Sequence, residues 1–255
     1  MRTYPTCIFC NRNDSKPSLE HVLPTWIAEE FPAAYWEIEN FYTDRTFKAY
    51  NNLGLKKRKP CVRCNNTWMS QLEVAAKPTL SRLIHGKRTT LTPDDQLLII
   101  RWFTKTAIMF DLVPEKKREP YFNQDECQAL MQSLAFPPNT NFFLAQYHGT
   151  RDATTTDAHL PLTVARRPYT DPSSVVFVKG YTATFSIKHL VLQVFSLRHP
   201  KEYPSEPVTL SVEACEGAVI DIWPMSGTVD WPPPLTLDDD GFKFFADRWE
   251  RLKPI

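Results

Sequence analysis

Apolar positions first recur at helical spacing after residue 60. Trp68, Met69, Leu72, Ala75 and Ala76 fall on one face, with Pro78 soon after, so the spacing predicts a helix burying those five side chains. A second helical pattern opens at Thr92, which can cap, with Pro93 at the first helical position and Asp94 and Asp95 facing the positive end of the dipole. Its largely apolar run reaches about Leu112 and stops at Pro114. Asn123 with Glu126 reads as a capping box for a further helix, ending before Pro137 and Pro138. Beyond residue 141 the period shortens to two. Strands are expected at Phe142–Tyr147, Leu160–Ala165, Val175–Val178, Tyr181–Leu197, Val208–Val212 and Val219–Trp223. The alternation from Thr182 to Ile187 marks half-buried antiparallel pairing. Gly241–Leu252 reads as a short terminal helix. The pattern predicts an α+β protein in two parts: residues 1–90, then 91–255, with helices over about 93–136 and mostly β after 141.

Composition adds little until it is divided along the chain. Apolar residues make up 42% and charged residues 23% of 255, which are globular values; 7 glycines against 22 scattered prolines suggest rigid loops and strand edges. No apolar run approaches a membrane span, since Leu97–Ile100 is ended by Arg101. Residues 1–5 carry no hydrophobic leader, so the expectation is a soluble, cytoplasmic protein without a membrane partner. The net charge of +1 hides a strong asymmetry. From Arg45 to Arg88 there are eleven Lys or Arg and one acid, Glu73, a net +10 against −9 for the rest. The run Lys56, Lys57, Arg58, Lys59, followed by Arg63, suits a polyanion such as nucleic acid.

Four of six cysteines form two Cys-x-x-Cys pairs, Cys7 with Cys10 and Cys61 with Cys64. Two intervening residues let both thiolates of a turn address one ion, and two such turns complete a tetrahedral zinc site. A closed four-cysteine site braces structure and leaves no position for substrate. Cys127 and Cys215 stand alone and read as buried free thiols.

Glu20, His21, Val22, Leu23 and Pro24 lie between the pairs, and Asn65, Asn66, Thr67, Trp68, Met69, Ser70 follow the second. With the cysteines, these residues resemble the HNH (ββα-metal) endonuclease family, over roughly the first third of the chain. The resemblance implies a zinc-stapled treble-clef module with Glu20 as a carboxylate ligand of a catalytic Mg²⁺ or Mn²⁺. It implies His21 as general base and Asn65 as the second ligand of that ion. Carboxylate and amide oxygens suit such a hard ion. The implied activity is hydrolysis of phosphodiester bonds in nucleic acid, DNA first, and self-association stays open. About fifty residues separate Cys10 from Cys61, so an insertion containing Tyr35–Phe47 is expected. Asn51 or Asn52 is the candidate for the family's middle asparagine, and Asn66 competes with Asn65 as ligand.

Glu73 shares a helix face with Asn66, but seven residues rise about 10 Å, too far for one ion to hold both directly. A surface pair between Glu73 and Lys77 is the simpler expectation. His85, His148, His159, His189 and His199 have no partner at ligand spacing and read as surface or core histidines. Two further readings stand beside the nuclease: a catalytically inactive treble-clef module that binds nucleic acid, and a protein-interaction module in which zinc only stabilises a docking surface.

Overall fold

The computed structural model describes residues 3–31, 36–40, 45–49, 55–112, 119–132, 136, 139–165, 175–198, 215–225 and 227–248. The first half is built on a short antiparallel pair, β1 (Glu20–His21) with β4 (Lys56–Lys57), in which Glu20 lies opposite Lys57 and His21 opposite Lys56. The intervening chain contributes helix α1 (Thr25–Glu30) and the hairpin β2 (Trp36–Asn40) and β3 (Arg45–Ala49). After β4, α2 (Val62–Cys64) passes through one π-helical turn, Asn65–Met69, into α3 (Ser70–Ile84).

The second half supplies most of a seven-stranded sheet. Following β5 (Thr89–Leu91) come α4 (Pro93–Asp111), α5 (Gln124–Gln132), β6 (Thr140–Gln146), β7 (Ala153–Ala165), β8 (Val175–Ile187) and β9 (Leu190–Arg198). β10 (Val219–Trp223), β11 (Val229–Trp231) and α6 (Asp239–Asp247) complete the order. The sheet runs β10-β6-β9-β8-β7-β2-β3, and its neighbours are antiparallel except β2 with β7. The inserted hairpin therefore extends the sheet of the second half, while β5 pairs with β11. The two halves share backbone hydrogen bonds at both places.

Helix α4 lies at the centre. From Trp102 to Asp111 every residue is buried, as expected of a helix packed on more than one side. It packs against α3 and α5 and against β9 of the sheet. Phe103 meets Phe185 edge-on at 5.3 Å between ring centroids, and Phe110 meets the same ring at 5.2 Å. The other sheet face has its own core, where Phe143, Val191 and Phe195 pack with Phe242 and Phe245 of α6. Residues along β6 point alternately into the two cores, so this strand is buried throughout.

The helices at 93–111 and from 124 follow the sequence pattern, and both capping boxes are formed. Asn123 Oδ1 accepts from Glu126 N at 2.9 Å, and Glu126 Oε2 accepts from Asn123 N at 2.8 Å. Other expectations need correction. Pro78 does not end the third helix, which continues to Ile84. Pro78 and Val74 both face solvent, so the Val74 carbonyl freed by the missing N–H is open to water. Ala75 is exposed, and the buried face reads Met69, Leu72, Ala76, Leu80 and Leu83. The expected strand Tyr181–Leu197 is two strands. Ile187 pairs with Leu190, leaving the two-residue turn Lys188–His189 with Lys188 at φ 50°. A Lys-His turn lacks the Asn-Gly signature that announces such hairpins. The strand expected at 160–165 begins at Ala153, because Thr154, Thr155 and Thr156 are buried β-formers despite their hydroxyls. The terminal helix begins at Asp239 behind Asp238, whose Oδ1 accepts from Gly241 N. Asn51, Asn52, Val208–Val212 and His199 lie outside the described residues.

Removing the Thr92 cap tests the anchoring of α4. Thr92 Oγ1 accepts from Asp95 N at 3.2 Å, and Asp95 Oδ2 accepts from Thr92 N at 3.0 Å. Thr92→Ala should cost about 1 kcal/mol of unfolding free energy, read from the shift in a urea denaturation midpoint at constant slope. A loss below about 0.3 kcal/mol would show that tertiary packing alone holds this helix start.

Candidate metal centre and the carboxylate cluster beside it

The two Cys-x-x-Cys turns converge. Cys7, Cys10, Cys61 and Cys64 place their sulfurs within 4.8 Å of one another, and the four could hold a metal ion. Cys7 Sγ lies 3.8 Å from Cys64 Sγ, and Cys10 Sγ lies 3.7 Å from Cys61 Sγ. Disulfide bonding needs about 2.05 Å, whereas sulfurs about 2.3 Å from one ion at tetrahedral angles stand about 3.8 Å apart. The geometry therefore fits metal ligation, and four sulfur donors suit zinc.

Local backbone sets this up. Cys7 N donates to Arg12 O and Asn11 N to Cys7 O, closing a tight turn with Asn11 at φ 54°. Cys61 caps α2 with its own sulfur, which accepts from Cys64 N at 3.4 Å, and Cys61 N donates to Cys7 Sγ at 3.2 Å. The hydrogen bond between Cys7 and Cys64 holds the Cys7 thiol well below its ordinary range, opposed by burial and reinforced by backbone hydrogen bonds. Bonds from Val62 N to Lys16 O and from Ser18 N to Pro60 O tie the segments that carry the two Cys-x-x-Cys turns together. Cys127 and Cys215 are buried, as expected, and neither forms a disulfide.

A second polar centre adjoins the first. Glu20 on β1 is buried, and its carboxylate faces Asn65, Glu73 and Lys105. The Lys105 ammonium is fully buried, 2.7 Å from Glu73 Oε1 and 3.9 Å from Glu20 Oε1. Asn65 Nδ2 donates to Ser18 Oγ at 2.7 Å, whereas Asn66 points to solvent. Burial pushes the Glu20 carboxyl up to about 7; Lys105 pulls the other way, Glu73 adds to the rise, and a hydrogen bond with Asn65 lowers it. Burial also pushes the His21 imidazole below its ordinary value, with Lys56 contributing and Glu73 opposing, so the ring is neutral at pH 7. His21 is half-buried, and its ring makes no hydrogen bond among the described residues.

The π turn explains how Asn65 and Glu73 come to face the same carboxylate. Eight α-helical residues would rotate one from the other by about 80°, but a π turn absorbs one extra residue and brings them within about 20°. The expected Glu73–Lys77 pair is replaced accordingly: Glu73 turns inward to Lys105, and the Lys77 ammonium lies 5.3 Å from the Trp26 ring centroid.

Of the basic run, Lys56, Arg58 and Lys59 are exposed and Lys57 is half-buried. Lys56 is the cross-strand neighbour of His21. Arg63 is exposed and, with Arg12, is paired to Asp14 at 3.2 and 2.7 Å. Ser18 and Lys105 were not anticipated from the sequence and Glu73 was expected at the surface, yet two of the three left a trace. Glu73 is the single acid of the +10 segment, and Lys105 is a lone cation within the apolar stretch Trp102–Phe110. No helix among the described residues is long and apolar enough to cross a membrane. No family model, curated protein or solved structure matches the chain.

Replacing one ligand tests the cysteine centre. The purified protein should contain one zinc per chain by plasma emission spectrometry, and Cys61→Ser should lower both that ratio and the yield of folded protein, because metal binding and folding are coupled. Undiminished zinc after all four cysteines are replaced would remove them from its ligation.

Proposed function

We propose that the chain is a metal-dependent endonuclease of the HNH type, hydrolysing phosphodiester bonds in nucleic acid, with DNA the first substrate to test. In this reading the four cysteines hold a structural zinc in a treble-clef arrangement. Glu20 and Asn65 are the oxygen ligands of a catalytic Mg²⁺ or Mn²⁺, and His21 is the general base. The observation that carries the reading is the meeting of Glu20 and Asn65 beside His21, where a two-strand pair meets the helix that opens at Cys61. Glu20 and Glu73 offer carboxylate oxygens and Ser18 a hydroxyl, which suit a hard cation, and Asn65 would add its amide oxygen once the amide turns over, since its Nδ2 donates to Ser18 Oγ.

Each side chain has a task that follows from its surroundings. His21 is kept uncharged by burial and by Lys56, so it can accept a proton from an attacking water at neutral pH. A divalent ion bound at this point would steady the charge developing on the leaving oxygen. Lys56, directly across the strand pair from His21, is suited to hold a phosphate near that ring, and Arg58 and Lys59 extend the positive charge outward. The second reading, a catalytically inactive treble-clef module, is favoured by one observation. The Lys105 ammonium already offsets one of the two carboxylate charges that a catalytic ion would need.

His21→Ala should lower cleavage of supercoiled plasmid about a hundredfold to ten-thousandfold while leaving zinc content and DNA affinity unchanged. Excess Mn²⁺ should not restore it, because the missing group is a base. Wild-type rates should be level above pH 7 and fall in acid as His21 becomes protonated. Equal cleavage by both proteins would remove His21 from the chemistry.

Neutralising Lys56, Lys57, Arg58 and Lys59 together should weaken DNA binding. The plot of log affinity against log salt should become shallower by about one for each phosphate that is no longer neutralised. An unchanged slope in fluorescence anisotropy titrations would make these residues a solvated edge.

A further inference from the structure

We infer that Lys105 is a positioning residue, an internal counter-ion that competes with a divalent cation for Glu73 and Glu20 and sets the affinity of that site. The inference rests on the proposed reading only in taking Glu20 as a cation ligand. Its basis is the placement of one ammonium group. Lys105 belongs to α4, beyond the cysteine-rich segment, and its side chain is 0% exposed. An ammonium so placed cannot reach a nucleic-acid phosphate in this arrangement, which excludes it as a surface contact. It stands 2.7 Å from one carboxylate and 3.9 Å from another, where a hard cation would also be attracted.

The charges around the point make the competition explicit. Glu20 comes from β1 and Glu73 from α3; among the described residues, His21, Lys56, Asn65 and Ser18 add polar groups near them, and Lys57 lies across the strand pair from Glu20. With both carboxylates ionised and Lys105 charged, the cluster carries one net negative charge. A divalent ion entering beside the ammonium meets repulsion at a few ångströms in a poorly screened interior, which opposes its binding strongly. Without the ammonium, the buried Glu20 and the half-buried Glu73 carboxylates would face each other uncompensated, which is costly in the absence of a cation. Lys105 thus keeps the carboxylates gathered when no divalent ion is bound, at the expense of affinity for one.

The test is a Mn²⁺ titration of the zinc-loaded full chain followed by electron paramagnetic resonance, alongside thermal melts with and without Mn²⁺. Lys105→Met should bind Mn²⁺ on the order of tenfold more tightly than wild type, or better. It should melt lower without the ion and recover on its addition. Lys105→Arg, which keeps the charge, should stay within about threefold of wild type. A purely structural lysine would not tighten metal binding when removed. Unchanged or weaker affinity in folded Lys105→Met would overturn the inference, as would equal tightening in Lys105→Arg. Failure of Lys105→Met to fold even with Mn²⁺ present would also overturn it. If wild type neither binds Mn²⁺ nor cleaves DNA while Lys105→Met binds the ion, the counter-ion role stands and the hydrolase reading fails. If wild type cleaves DNA with Mn²⁺ and Lys105→Met shows no tighter binding, the reverse holds.

Discussion

The convergence of four sulfurs from two turns about fifty residues apart is the constraint on which the first half of the structure depends. With Cys7 and Cys10 held against Cys61 and Cys64, residues 16–18 lie along residues 60–62, and β1 is aligned with β4. That alignment sets Glu20 and His21 at the foot of the helix opening at Cys61. Two strands of two residues each could not hold such a register alone, because their few hydrogen bonds do not offset the entropy of ordering the chain. Four ligands on a single ion can, which is why metal sites so often stabilise segments with little core of their own.

The second constraint is the long central helix. α4 presents Phe103 and Phe110 to the sheet while Lys105 reaches the opposite neighbour, the Glu20–Glu73 pair. One helix therefore links the large apolar core to the buried ionic cluster. The cluster is not an obvious source of stability, since burying charges costs about what their attraction returns. Its value lies in geometry: it holds two carboxylates, an amide and an imidazole close together. The π turn at Asn65–Met69 belongs to the same arrangement, because a regular helix would turn Asn65 away from the face that carries Glu73.

The sheet binds the two halves into one structure. The hairpin inserted between the cysteine pairs adds β2 and β3 to its edge beside β7, and β5 joins β11. The larger core includes Cys7, Phe9, Val22 and Ile27 together with Phe142, Phe185 and Leu192, so it crosses the boundary that the sequence suggests near residue 90.

The cysteine spacing, the capping boxes at Thr92 and Asn123, and the change of hydrophobic period after residue 141 are local signals, and they determined the four-cysteine cluster that could hold a metal, the start of two helices and the α+β class. Glu20, His21 and Asn65 were singled out by the resemblance of their motifs, and what the fold adds is that Glu20 and Asn65 meet at the strand that carries His21. What the sequence could not supply was pairing over distance. Lys105 reads as one cation in an apolar helix and Glu73 as one acid in a basic segment, and neither shows that the two meet at 2.7 Å. The one-residue slip of the π turn, the passage of α3 through Pro78 and the Lys188–His189 hairpin are likewise choices made by packing. In each case the tertiary contacts outweigh a local preference of about a kilocalorie or a few, and only the assembled core decides the balance.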